Sequence, residues 1–190
     1  MNFLRNLFGK AQKALPPISD EEREQAKKIF FEYNCNELNM ARDGENFFSK
    51  YPISDEQITE WRNEFITHWI SKLSVDDLEA VTRLSGAEAI EAVPDLLSIA
   101  EKADSYVKSK IAFAIMSASS KYGIDKNLRK QTLDIVIKLS ESIVESQIQL
   151  SENHRKQILA FPEVTPGTLT PEDYVIENAK FALSEAKRRR

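Results

Sequence analysis

The side chains able to do chemistry are few in this 190-residue chain: two histidines, His68 and His154, and one cysteine, Cys35. Glu60, Glu64 and His68 recur every four residues and would share one helix face, an arrangement open to a carboxylate–histidine metal site. A di-iron bundle needs Glu-x-x-His from two helices, and neither histidine has a glutamate three residues before it. His68 sits between Thr67 and Trp69 beside an aromatic stripe. It is therefore expected to be a partly buried, hydrogen-bonded side chain. Cys35 falls late in its helix, where a thiol behaves as a small hydrophobe, whereas an activated thiolate needs a neighbouring base or a helix N-terminus.

Other motifs are equally sparse. Ser105-Tyr106-Val107-Lys108 satisfies Ser-x-x-Lys, but the companion motifs of that chemistry are missing. The five glycines are too scattered for a Gly-x-Gly-x-x-Gly or Walker loop. Asp43-Gly44-Glu45 lacks the ligand spacing of a calcium loop. No catalytic residue, metal or cofactor is assigned on these grounds.

The elements that must position these groups all read as helices. Phe3, Leu4, Leu7, Phe8, Ala11 and Leu15 form one stripe opposite Asn6, Lys10 and Lys13, and Pro16-Pro17 stops that helix. Ser19 and Glu22 make a capping box for a helix expected to reach about Leu38 or Met40, with Asp43-Gly44 as its break. Residues 44–53 read as an irregular, aromatic-rich connection. Ser54 and Gln57 form a second capping box, and Ile58, Trp61, Phe65, Trp69 and Leu73 follow at spacings of three and four. Ser74-Val75-Asp76-Asp77 reads as the start of a third helix bearing Leu78, Val81 and Leu84 and ending at Gly86. Pro94 suits the first turn of the next short helix. Asp104 and Asp125 read as N-caps of two longer helices, the second continuing past Leu150 with a break near 151–153. Ile135-Val136-Ile137 could be a strand alone, but its long run of helix-forming neighbours decides for helix. Thr170 to Asp173 opens a last helix, and Lys187 to Arg190 suits the negative end of its dipole.

Charge is unevenly spread. Residues 1–17 carry Arg5, Lys10 and Lys13 without an acid, residues 18–104 hold 20 acids and 9 bases, and residues 105–190 hold 10 acids and 14 bases. Acidic faces over 18–104 would steer a basic partner. A nucleic-acid partner is disfavoured, because a phosphate backbone rewards a basic footprint. The longest apolar run, Ile111 to Met116, is far short of the roughly 20 residues that span a bilayer. With a single cysteine and no convincing signal peptide, a cytoplasmic location is expected.

Residues 93–116 resemble a HEAT-type helical hairpin: a short helix, a turn in which Asp104, Val107 and Lys108 stand at the Asp-x-x-Val-Arg positions with Lys replacing Arg, and a second helix whose Ile111, Ala114 and Ile115 face inward. Asp125, Leu128 and Arg129 repeat the turn 21 residues later, half the spacing of a full unit. The resemblance implies stacked antiparallel helices used as a protein-binding scaffold.

The expectation is an all-α chain of about seven or eight antiparallel helices, a bundle or short solenoid over 18–190 preceded by an amphipathic helix and a Pro-Pro hinge over 1–17. The leading function is a non-enzymatic module that binds a protein partner. The segment least explained by periodicity supplies its contact residues Tyr33, Asn36, Asn39, Met40, Arg42, Asp43, Phe47 and Tyr51, a mix of aromatics, Met, Asn and Arg like that of interface cores. The bland reading has the same amides capping helix ends and the same aromatics entering the core. A second reading is a peripheral membrane adaptor docking through Phe3, Leu4, Leu7, Phe8 and Lys10, whose apolar face and cations are what interfacial helices need. The same stripe could pack on its own domain, on a partner or on a second copy. A third is an enzyme with dispersed acid/base residues, with Glu60, Glu64 and His68 its only cluster.

Overall fold

A computed structural model describes residues 18–44, 46–164 and 169–190. The stripe Phe3, Leu4, Leu7, Phe8 and Lys10 lies outside these residues. Among the described residues the chain is all-α, with ten α-helices and no strand. Its contacts fall into two units, one ending at His68 and the other beginning at Trp69, and each is described by itself.

The first unit opens with α1 (Asp20–Glu32). Ser19 Oγ accepts the Glu22 N–H at 3.2 Å, and Glu22 returns a carboxylate to the Ser19 N–H at 3.0 Å, so the capping box is complete. The helix stops well short of Leu38. Asn34 and Cys35 both adopt left-handed backbone, with φ of 53° and 55°. The Cys35 N–H then bonds back to the Phe30 carbonyl at 2.8 Å, closing the helix in the Schellman manner. Asn accepts that conformation readily, whereas Cys35 is held in it by burial. Asn36 restarts the helix by accepting from the N–H groups of Leu38 and Asn39, giving α2 (Glu37–Arg42).

The connection expected to be irregular contains a single turn, α3 (Phe47–Lys50). Next comes α4 (Asp55–Ile70), where Ser54 Oγ accepts the Gln57 N–H and the Gln57 amide donates to Glu60. Ile58, Trp61, Phe65 and Ile66 of α4 are buried, as the spacing predicts. Phe30 stands 5.9 Å from Phe47 and 6.3 Å from Trp61 between ring centroids, Phe47 stands 5.5 Å from Tyr51, and Phe31 meets Phe65 edge-on at 5.2 Å. These rings fix three helices with little chain between them.

In the second unit α5 (Glu79–Gly86) begins five residues after the expected start. Ser74 accepts the Asp76 N–H and Asp77 accepts the Glu79 N–H, so the polar side chains fold the backbone into turns before the helix can form. A 3-10 turn over Ile90–Ala92 leads into α6 (Val93–Ala100), with Pro94 in its first turn. Then α7 (Ser105–Ala118) runs through the middle of the unit, in contact with α5, α6 and two later helices. Nine of its 14 residues are buried, Ile111, Ala114 and Ile115 among them.

Gly123, with φ of 76°, makes the turn out of α7. The following helix, α8 (Lys126–Glu145), ends before residue 146, and Ser151 caps a separate α9 (Glu152–Leu159). Finally α10 (Pro171–Arg189) opens on the Thr170–Asp173 capping box and packs along α8 and α7 through Val175, Ala179, Ala182 and Ala186. Small residues at spacings of three and four let helix axes approach closely. Lys187 pairs with Glu141 at 2.9 Å and Arg190 with Asp134 at 2.7 Å, which ties the basic end of α10 to α8.

Candidate functional site

The eight residues proposed as a contact surface divide sharply. Met40, Phe47 and Tyr51 are core side chains and cannot meet a partner without unfolding the unit. Asn36 is buried as the cap of α2. Tyr33 and Asn39 are half-buried, while Arg42 and Asp43 are exposed and pair with each other at 3.0 Å. What remains at the surface is the outer side of α2, where Leu38 is 47% exposed beside Ala41 and Arg42. The aromatic composition that suggested an interface belongs largely to the core, as the bland reading has it.

The outer face of α1 is acidic. Glu21, Glu24 and Glu32 are exposed and make no hydrogen bond or ion pair among the described residues; Lys28 shares the face. Residues 18–68 carry 12 acids against 6 bases in sequence. The basic residues that are present partly neutralise one another's neighbours: Lys27 takes Glu64 at 2.7 Å and Arg23 approaches Asp20 at 3.5 Å. A carboxylate-rich face held on a rigid aromatic core can attract cations over several ångströms without rearranging.

The constellations considered for chemistry are dispersed. Glu60 accepts from Gln57, Glu64 is bound to Lys27, and His68 is exposed rather than partly buried, in the last turn of α4. Among the described residues no group of three His, Cys, Asp or Glu side chains is arranged to hold a metal ion. Burial pushes the Cys35 thiol well above its ordinary range, opposite to the shift a nucleophile needs. Ser105 spends its hydroxyl as the acceptor of the Gln149 N–H at 3.1 Å.

Sequence reasoning missed one buried polar cluster in the second unit. Asp104 does more than cap α7. Its Oδ1 accepts the Val107 N–H at 3.1 Å, and its Oδ2 accepts the Ser151 N–H at 2.8 Å and faces His154 Nδ1 at 2.7 Å. His154 is 3% exposed. Burial alone would raise the Asp104 carboxyl, but the Ser151 N–H, His154 and the Val107 N–H outweigh it and hold the group below its ordinary value. The ionised Asp104 carboxylate accepts from His154 Nδ1, and the buried Nε2 has no hydrogen-bond partner among the described residues.

The surroundings of His154 are apolar. Tyr106 lies 5.5 Å away between ring centroids, and burial pushes its hydroxyl up to about 12. Lys110 places its ammonium 5.2 Å from the Tyr106 ring, 5.8 Å from Phe161 and 5.9 Å from Tyr174, and burial lowers it despite the opposing pull of Glu163. The pair fastens the start of α7 to α9 across a 50-residue separation. No local sequence signal marks such a pair, since each partner also serves an ordinary role near a helix start.

The chain matches no family model, no curated protein and no solved structure. Functional inference therefore rests on the chain's own physics. No helix among the described residues is long and apolar enough to cross a membrane.

Proposed function

We propose that this chain is a non-enzymatic helical protein-interaction module, cytoplasmic, whose first unit docks a basic protein partner on the outer faces of α1 and α2. The observation that carries the reading is the set of unpaired carboxylates Glu21, Glu24 and Glu32 on one face of α1, in the same unit as the exposed Leu38 of α2. An acidic face gives steering and orientation, and an exposed leucine gives a point of dry contact. The resemblance of residues 93–116 to a HEAT-type hairpin supports a scaffold role for the second unit.

The test is charge reversal. The triple variant Glu21→Lys, Glu24→Lys, Glu32→Lys changes exposed side chains only and should keep its helical signal by circular dichroism. Affinity capture from the source cells should then retain a stoichiometric basic protein on the unaltered chain and lose it on the triple variant. Equal retention by both would refute the assignment of this face.

A second reading rests on the sequence of the first 17 residues, where an apolar stripe carries three cations and no acid. That composition suits weak, reversible contact with an anionic membrane surface. Replacing Phe3 and Leu7 with Glu should abolish sedimentation with anionic vesicles while leaving the melting temperature unchanged. A drop in melting temperature of several degrees would instead assign the stripe to the core.

A further inference from the structure

A cavity of about 310 Å³ in the second unit is lined by Ser119, Ser120, Arg129, Leu133 and Arg189. It brings together the end of α7, the first turns of α8 and the last turn of α10. Two guanidinium groups and two hydroxyls line one cavity, with Leu133 as an apolar wall. The volume lies at the small end of the range for ligand sites.

The cations here are placed against the local rule. Lys126, in the first turn of α8, stands where the helix dipole disfavours positive charge, beside an N-cap carboxylate, Asp125, that is engaged by the Asn127 and Leu128 N–H groups; Arg129 and Lys130 follow in the second turn. None of the three makes an ion pair or a side-chain hydrogen bond among the described residues. By contrast, Lys187, Arg188, Arg189 and Arg190 at the end of α10 all have carboxylate partners. Of Lys126, Arg129 and Lys130, Arg129 lines the cavity, so an unpaired guanidinium stands there beside the fixed guanidinium of Arg189.

Arg189 is already oriented. Its Nη1 donates to Ser120 Oγ at 3.0 Å, and its Nε and Nη2 donate to Glu185 at 3.2 and 3.1 Å. One N–H remains on each terminal nitrogen, and all five remain on Arg129. Ser119 donates to the Met116 carbonyl at 2.6 Å, whereas Ser120 reaches that carbonyl only at 3.4 Å. Ser120 can therefore exchange that long contact for a ligand oxygen.

The geometry points to a binding site for a phosphomonoester, free or borne on a lipid headgroup, with Arg129 and Arg189 on its oxygens and Leu133 against its organic substituent. Glu185 already pairs with Arg189, so Arg129 brings the uncompensated charge, and the three free oxygens of a phosphomonoester match the spare N–H groups of Arg129 and Arg189 together with Ser120, one acceptor more than a carboxylate offers. Glu185, held down to about 2 chiefly by its hydrogen bond to Arg188, is ionised and fixes Arg189 through Nε and Nη2, so a ligand must use the remaining N–H groups of Arg189.

The test uses the full chain and inorganic phosphate, followed by amide NMR. Saturable shifts are expected at Ser119, Ser120, Arg129, Leu133 and Arg189. Arg129→Gln should weaken binding about tenfold or more, the effect of losing charge-assisted hydrogen bonds. Lys138→Gln removes the same charge from α8 outside the cavity and should leave binding unchanged. In a parallel arm, phosphatidylcholine vesicles with and without phosphatidic acid replace phosphate. Arg129-dependent binding to phosphate identifies a soluble ligand, and Arg129-dependent binding only to the phosphatidic acid vesicles identifies a headgroup. Absence of binding in both arms, or equal losses for Arg129→Gln and Lys138→Gln, would overturn the proposal.

Discussion

Replacing Asp104 with Ala tests the buried cluster most severely. The change removes the N-cap of α7, which is worth about 1 kcal/mol. It also leaves His154 Nδ1–H without an acceptor in a side chain that is 3% exposed, at about 1–3 kcal/mol. The Ser151 N–H is near solvent and can turn to water, so its loss adds less than about 1 kcal/mol. The expected destabilisation is about 3 kcal/mol. With a urea m-value of about 2 kcal/mol per molar, the midpoint should fall by roughly 1.5 M at unchanged slope. Asp104→Asn keeps an oxygen for the cap but loses the charge facing His154, and should cost about half as much.

The pH dependence has a definite sign. The Asp104 carboxyl sits lower in the folded chain than its ordinary value of 3.8, so the unfolded chain takes up its proton first as pH falls. Its stabilisation is complete above that value and is lost as pH drops below it through the folded value. The gap between the unaltered chain and Asp104→Asn should therefore be constant at neutral pH and narrow only in acid. A double-mutant cycle with His154→Ala should show a coupling of at least about 1 kcal/mol. A coupling below about 0.5 kcal/mol, or a loss under about 1 kcal/mol for Asp104→Ala at neutral pH, would refute the reasoning.

Phe47→Ala should cost about 3–5 kcal/mol in the first unit, since Phe47 is fully buried and contacts Phe30, Phe48 and Tyr51; loss of the Trp61 fluorescence transition would report it. Cys35 should react with a maleimide only as fast as the first unit opens, because the thiol is buried and its ionisation is suppressed; a rate equal to that of free cysteine would contradict its placement. Ser140, fully buried on α8, has an Oγ without a hydrogen-bond partner among the described residues, so Ser140→Ala should be neutral or stabilising by up to about 1 kcal/mol in urea melts.

Helix class and most starts were legible because they are local chemistry. Ser19, Ser54, Asp104, Asp125 and Thr170 all accept from backbone N–H groups two or three residues on, as their spacing predicts. Helix ends were less legible. Two left-handed residues at Asn34 and Cys35 end α1 without a glycine, and polar turns at Ser74 and Asp77 delay α5. Functional surface was the least legible. Met40, Phe47 and Tyr51 have the composition of an interface and the burial of a core, and only tertiary packing separates the two. The Asp104–His154 pair and the meeting of Arg129 with Arg189 join residues 50 and 60 positions apart, beyond any periodicity.

Amide hydrogen exchange of the full chain, alone and with its captured partner bound, addresses the central claim directly. The account predicts new protection over residues 20–43, on α1 and α2, weakening as salt is raised. Protection confined to the second unit, or protection over 20–43 that is indifferent to salt, would contradict an acidic docking face on the first unit.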